Sequence, residues 1–182
     1  MLIETTPRLR YILLGRFAPF HLGHQKSVDS LINRFGLSHV LIIIGSSSSY
    51  NSRTPYTYEE RRQMILAVYP EIEVLPLPDT HPSLIHFDGQ SNQLWLDSLE
   101  ALQKSRGEQL VFIGGSQADL AILAERFKTL ILVDRHQLGH DYSATEVREA
   151  LDRGDITTLT SLLSPAVLPL AIAGYRKFQK TL

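Results

Sequence analysis

Val40-Leu41-Ile42-Ile43-Ile44-Gly45 is the segment that most restricts how this chain folds. Five consecutive β-branched or leucine residues ending on glycine leave no polar face, so a strand here is covered on both sides. Two-sided cover comes from helices that alternate with parallel strands. The rest of the chain supplies that alternation. Tyr11–Gly15 reads as a strand, and Gln25–Phe35 as a helix, since Val28, Leu31, Ile32 and Phe35 recur at helical spacing. Thr57 and Glu60 make a capping box opening a helix to about Val68. Ile72–Leu75 is a third strand, Gln93–Lys104 a helix and Gln109–Gly114 a fourth strand. Ser116 with Asp119 starts a helix to about Phe127, Thr129–Val133 is a fifth strand, and Ser143 with Glu146 caps a helix to about Arg153. Pro165 and Pro169 stand in helix-start contexts, so the remainder reads as short C-terminal helices.

The expected fold is therefore α/β: a Rossmann-like, doubly wound parallel sheet of about five strands with short C-terminal helices. A single domain is expected over residues 1–182, with an α/β core at about 9–153 and a C-terminal helical extension at 154–182. The chain has no cysteine, which excludes disulfides, iron–sulfur clusters and thiol chemistry. A formal net charge of −1 gives no broad surface for nucleic acid. No apolar run approaches the roughly 20 residues of a membrane span, and a cytoplasmic location is expected. The assembly state is left open, a homo-oligomer included.

In such sheets ligands bind beyond the carboxyl ends of the strands. The loop after the first strand is Gly15-Arg16-Phe17-Ala18-Pro19-Phe20-His21-Leu22-Gly23-His24, which runs directly into a helix start. Backbone N–H groups and the positive dipole end there suit phosphate, and Gly23 lets backbone approach a ligand. Two imidazoles three residues apart can donate to phosphate oxygens from one side. They could instead be structural histidines, or two ligands of a zinc ion, although no cysteine exists and no third ligand lies nearby. The second segment is Tyr142-Ser143-Ala144-Thr145-Glu146-Val147-Arg148. Ser143 and Thr145 put hydroxyls at another helix start, and Arg148 can reach back to the same anion. The bland alternative is a capped helix with a solvated arginine.

These stretches, GRFAPFHLGH and YSATEVREAL, together with VLIIIGSSSSYNSRTPYTYEERRQMI, LPLPD and NQLWLDSLE, resemble the His-x-Gly-His nucleotidyltransferase superfamily. Within it the chain is similar to the archaeal-type nicotinamide mononucleotide (NMN) adenylyltransferases, which also form the front half of fusions with a Nudix hydrolase. The likeness spans about Tyr11 to Leu151. It departs from the family in the polyserine loop Ser46–Ser49, in a longer stretch at 79–91, and after Gly114-Gly115.

The resemblance implies transfer of AMP from ATP to NMN, with NAD and pyrophosphate as products and Mg²⁺ bridging the phosphates. It makes His21, His24 and Arg148 the catalytic residues. Gly15, Arg16, Phe17, Gly23, Gly114, Ser143 and Thr145 fall on the ATP side. Asn92, Trp95 and Arg53 fall on the NMN side: the amide of Asn92 against the carboxamide, Trp95 stacked on the ring, Arg53 at the phosphate. No protein metal ligands are implied. Three assignments have a plainer counterpart: an Arg16 stem packed over Phe17, a solvated Arg53, and Trp95 on a helix face with Leu94 and Leu99. Other acceptors within the superfamily (nicotinic acid mononucleotide, phosphopantetheine, FMN), a cytidylyl donor, or a non-catalytic ATP/NAD-sensing module are the alternatives. His81, His86, His136 and His140 carry no interpretable pattern.

Overall fold

The computed structural model describes residues 7–79, 89–115, 117–131 and 142–182. Five parallel strands form one sheet: β1 (Arg8–Gly15), β2 (Val40–Ile44), β3 (Glu73–Pro76), β4 (Glu108–Gly114) and β5 (Lys128–Ile131), in the order β3-β2-β1-β4-β5. The order reverses at β1: the chain first builds outward through β2 and β3, then returns to add β4 and β5 on the other side. The C-terminal ends of β1, β2 and β4 therefore meet at the switch in strand order.

Side chains along the central strands divide by a period of two. Val40, Ile42, Ile44, Val111 and Ile113 enter one core cluster, while Leu41, Ile43, Ile12, Leu110 and Phe112 enter the other. All five residues of β2 are buried, as a strand without a polar face requires. The first cluster is covered by α1 (Leu22–Phe35), α2 (Tyr58–Leu66), α5 (Ala144–Arg153), α6 (Ile156–Leu162) and α7 (Leu168–Gln179). The second lies under α3 (Gly89–Arg106) and the short α4 (Gln117–Leu120). The C-terminal helices are part of the packing: Leu159, Leu162, Val167 and Ala171 are all at most 1 % exposed.

Several boundaries move. Helix α1 begins at Leu22, so His24 lies inside it rather than ahead of it. Helix α3 begins at Gly89, which places Asn92 within its first turn. The single helix expected up to Phe127 is instead α4, then a turn, then a 3₁₀ turn at Leu123–Glu125. Tertiary contacts override helix propensity there. Arg126 pairs with Asp97 at 2.5 Å, and Gln93 of α3 donates to Glu125 at 3.3 Å, which draws the end of the segment onto α3 while Leu120 and Leu123 stay buried. Ser116 and residues 132–141, including Val133, His136 and His140, lie outside the described residues, as do His81 and His86.

At the opposite end of the sheet from the strand exits, Arg10 is 4 % exposed and bridges Glu73 at 2.6 Å and Glu108 at 3.2 Å. Arg106 pairs with the same two carboxylates at 2.8 and 2.6 Å. This network ties β1, β3 and β4 to the end of α3. Arg10 is its buried member, whereas Glu73 is 38 % exposed, so solvent screens part of the network.

Candidate active site

Backbone geometry forms the first loop. Gly15 ends β1, and its carbonyl accepts from Gly45 N at 2.9 Å, holding the two strand exits together. Phe17 has φ 50°, and it is buried to 2 % with Phe20 at 1 %. The chain thus turns sharply and plants two aromatic rings beneath the helix start.

Above those rings His21 and His24 close a capping box on each other. His24 N–H donates to Nδ1 of His21 at 3.4 Å, and His21 N–H donates to Nδ1 of His24 at 3.3 Å. The rings stack at 3.6 Å between centroids, and His24 also contacts Phe17 edge-on at 4.8 Å. The chemical consequence is a fixed tautomer. An Nδ1 that accepts a backbone N–H carries no proton, so the proton of the neutral ring sits on Nε2. A neutral imidazole in this tautomer has its donor on Nε2, the form that suits a phosphate oxygen. Capping boxes usually use Ser or Thr followed by Glu or Gln, so sequence patterning alone does not reveal this one.

Gly23 has a reason beyond ligand approach. A Cβ there would lie 2.7 Å from Cβ of Tyr142 and 3.1 Å from the His21 ring. The glycine thus lets Tyr142, at the start of the second motif, pack onto the first. Tyr142 also stacks towards His21 at 6.3 Å, and Lys26 Nζ lies 4.7 Å over its ring. A Cβ at Gly15 would lie 3.1 Å from the Phe17 ring and one at Gly114 2.7 Å from the Leu120 side chain, so both glycines serve close packing.

The second motif docks by hydrogen bonds. Ser143 caps α5 by accepting from Thr145 N at 3.2 Å, whereas the expected reciprocal bond from Glu146 is not formed. Arg148 donates to Ala18 O at 2.9 Å and to Thr145 Oγ1 at 3.1 Å. This contact spans 130 residues and fixes α5 against the loop that leads into the histidine pair.

Arg16 lies within electrostatic reach of two further arginines. The Arg16 guanidinium is held below the usual arginine range by partial desolvation and by the charges of Arg53 and Arg148, with Asp79 pulling the other way. Arginine stays charged regardless. Three guanidiniums therefore share one electrostatic neighbourhood in which Asp79 is the carboxylate that acts on Arg16, an arrangement that favours polyanions.

Two supports carry no signal in the motifs. Arg61 is fully buried and spends its donors on backbone carbonyls: Arg16 O at 3.0 Å, Gly45 O at 3.1 Å, Ser46 O at 2.9 Å and Thr57 O at 3.3 Å. It locks the exits of β1 and β2 at one separation, and burial pushes its guanidinium down to about 10. The signal was its spacing: Arg61, Met64 and Ile65 occupy core-facing positions of α2. Asp79 accepts from Ser46 Oγ at 3.0 Å and Ser49 Oγ at 2.7 Å, so the polyserine loop is tied to the exit of β3.

Asn92 and Trp95 lie one turn apart on α3, both half-buried. Trp95 packs at the margin of the second core cluster, as do Leu14 and Leu75 near the exits of β1 and β3. Among the described residues no group of three His, Cys, Asp or Glu gathers as a metal cage, and no helix is long and apolar enough to cross a membrane.

Comparison with known proteins agrees with this architecture. The nicotinamide-nucleotide adenylyltransferase of Pyrococcus horikoshii is 28 % identical over 157 residues, covering 81 % of this chain and 75 % of that protein. Among solved structures, the NadR protein in complex with NAD and AMP-PNP superposes with a TM-score of 0.59 at 21 % identity, over 82 % of this chain. The chain spans 44 % of the NadR protein's length. The nicotinic acid mononucleotide adenylyltransferase of Plasmodium falciparum gives a TM-score of 0.58 at 15 % identity, over 94 % of this chain and 96 % of its own. A family model described as cytidylyltransferase-like matches residues 12–150, from within β1 into α5, and the chain belongs to that family.

Proposed function

We propose that this chain is an NMN adenylyltransferase, which joins ATP and NMN to give NAD and pyrophosphate. The observation that carries this reading is the docking of Arg148 onto Ala18 O, in the loop that also bears Arg16 and enters the stacked His21–His24 pair. The similarity to the Pyrococcus horikoshii enzyme supports the same conclusion.

In the reaction an oxygen of the NMN phosphate attacks the α-phosphorus of ATP. A new P–O bond forms, the bond from the α-phosphorus to the bridging oxygen breaks, and pyrophosphate leaves with that electron pair. The attacking monoester is already largely dianionic at neutral pH, its second pKa being about 6, so no general base is needed. The protein has to align two anions and neutralise charge on the leaving side. His21 and His24 are read as Nε2–H donors to ATP phosphates, His24 nearest the transferring group. Arg148, with Ser143 and Thr145, is read on the β- and γ-oxygens, and Arg16 beside them. Arg53 is assigned to the NMN phosphate, Asn92 to the carboxamide and Trp95 to the ring. Magnesium fits a site of this kind as an ion held by phosphate oxygens and water, where it neutralises charge. A cytoplasmic location goes with this reading.

Choice of acceptor follows from charge. Nicotinic acid mononucleotide presents a carboxylate, which gains most from cationic donors. No lysine or arginine occurs between Arg62 and Lys104, the stretch that carries Asn92 and Trp95. The test is incubation with ATP, magnesium and either acceptor, with the dinucleotide identified by mass and pyrophosphate release timed. NAD formed faster than its acid counterpart supports the assignment. Faster use of the acid form overturns the acceptor, and no pyrophosphate release with any acceptor makes the protein a nucleotide-sensing module.

A further inference from the structure

The loop between β2 and α2 bears Arg53, and its two ends are anchored to different parts of the fold. At its start Ser46 and Ser49 donate to Asp79 at the exit of β3. At its end Tyr56 donates to Ala171 O at 3.1 Å, and Lys177 pairs with Glu60 at 3.0 Å, the residue that closes the cap of α2. Both of these partners belong to α7. Gly174 makes the docking close: a Cβ there would lie 2.8 Å from the Tyr56 ring.

Between those anchors stands Tyr50, 37 % exposed, with its ring edge-on to Phe178 of α7 at 5.2 Å and 84°. The next residue folds the turn that presents Arg53. Asn51 Oδ1 accepts from Arg53 N at 2.9 Å, Thr54 N at 3.1 Å and Thr54 Oγ1 at 3.1 Å, while the backbones of Asn51 and Thr54 bond in both directions. Asn51 thus closes the turn, and Tyr50, the residue before it, meets α7. The Arg53 side chain projects outward, exposed. A flexible loop would present the same charge over a wide volume, and its ordering would weaken every anion it bound.

We propose that the C-terminal helix α7 sets the acceptor-phosphate subsite, with Tyr50, clasped by Phe178, as the positioning residue that places Arg53. The inference rests on the reading of Arg53 as the ligand of the NMN phosphate. Tyr50 does not touch substrate in this scheme; it acts through Arg53.

The experiment is a double-mutant cycle on the whole chain, read as kcat and KM for NMN and ATP separately. Tyr50→Ala should raise KM for NMN about 3- to 10-fold, the span of an aromatic pair, with kcat and KM for ATP unchanged. Tyr50→Phe keeps the ring and should restore the wild-type value. Phe178→Leu, which keeps apolar bulk and loses the ring, should act like Tyr50→Ala. Combined with Arg53→Ala, Tyr50→Ala should add nothing. A rise in both KM values together, or effects that multiply in the double variant, overturns the positioning role and leaves Arg53 in place. An unchanged KM for NMN in Tyr50→Ala beside a raised one in Arg53→Ala does the same. An unchanged KM in Arg53→Ala itself removes the subsite, and the inference with it.

Discussion

His24 is both a helix cap and a phosphate donor in the scheme above, and two substitutions separate those duties. His24→Ala removes the 3.3 Å bond to His21 N–H and the 3.6 Å stack on His21. A lost cap typically costs about 1 kcal/mol, and a lost aromatic pair about 0.5–1.5 kcal/mol. The bonds are long, so the lower part of the combined range applies: about 1–2 kcal/mol, or about 2–8 °C in Tm at this chain length. The same change deletes a preorganised donor to the transferring phosphoryl group, which typically costs about 100- to 1000-fold in kcat. His24→Glu keeps the cap, because glutamate at this position is the usual partner in a capping box and suits the dipole of a helix start. It also places a carboxylate where phosphate must bind. Melting should therefore regain the part that the cap supplies, leaving only the deficit of the lost stack, while turnover stays lost. The assay is calorimetric Tm beside pyrophosphate release at saturating ATP and NMN. Recovery of kcat in His24→Glu would mean that His24 only caps α1, and the donor role would be refuted.

The other expectations are simpler. Arg148→Lys keeps the charge but cannot reach Ala18 O and Thr145 Oγ1 as a fork, so kcat/KM for ATP should fall at least about tenfold; full activity would exclude a fork-specific contact. Gly23→Ala forces a methyl against Tyr142 and the His21 ring, and should cost about 1–3 kcal/mol of stability together with turnover; an unchanged Tm would show that the two motifs are not packed through this residue. Trp95→Ala should weaken NMN binding by about 1–3 kcal/mol through lost stacking and burial. An unchanged NMN Kd in a less stable protein would return Trp95 to a purely structural place.

The sequence by itself determined the layers of this protein. A polar-free strand at Val40–Ile44 must be covered twice, and the alternation of strand and helical periodicity along the chain provides that cover, so the parallel sheet follows from burial alone. The sequence also marked the two loops proposed to face anions, because glycine, histidine, serine and arginine at strand exits and helix starts are local signals. What it could not carry is any relation between distant segments. Nothing in the order of residues says that Arg148 reaches Ala18, that Tyr142 rests on Gly23, or that the tail helix holds the loop of Arg53. The capping box of His21 and His24 escaped because histidine is not a usual cap, and its meaning depends on Phe17 and Phe20 packed below it. Arg61 occupied an apolar slot in the helical pattern, yet only the folded strand exits supply the carbonyls that make its burial tolerable. Local patterning fixes what most segments are, although the stretch after β4 broke into α4 and a 3₁₀ turn. The closeness of charges and the pairing of buried polar groups exist only once the sheet has brought its strand ends together.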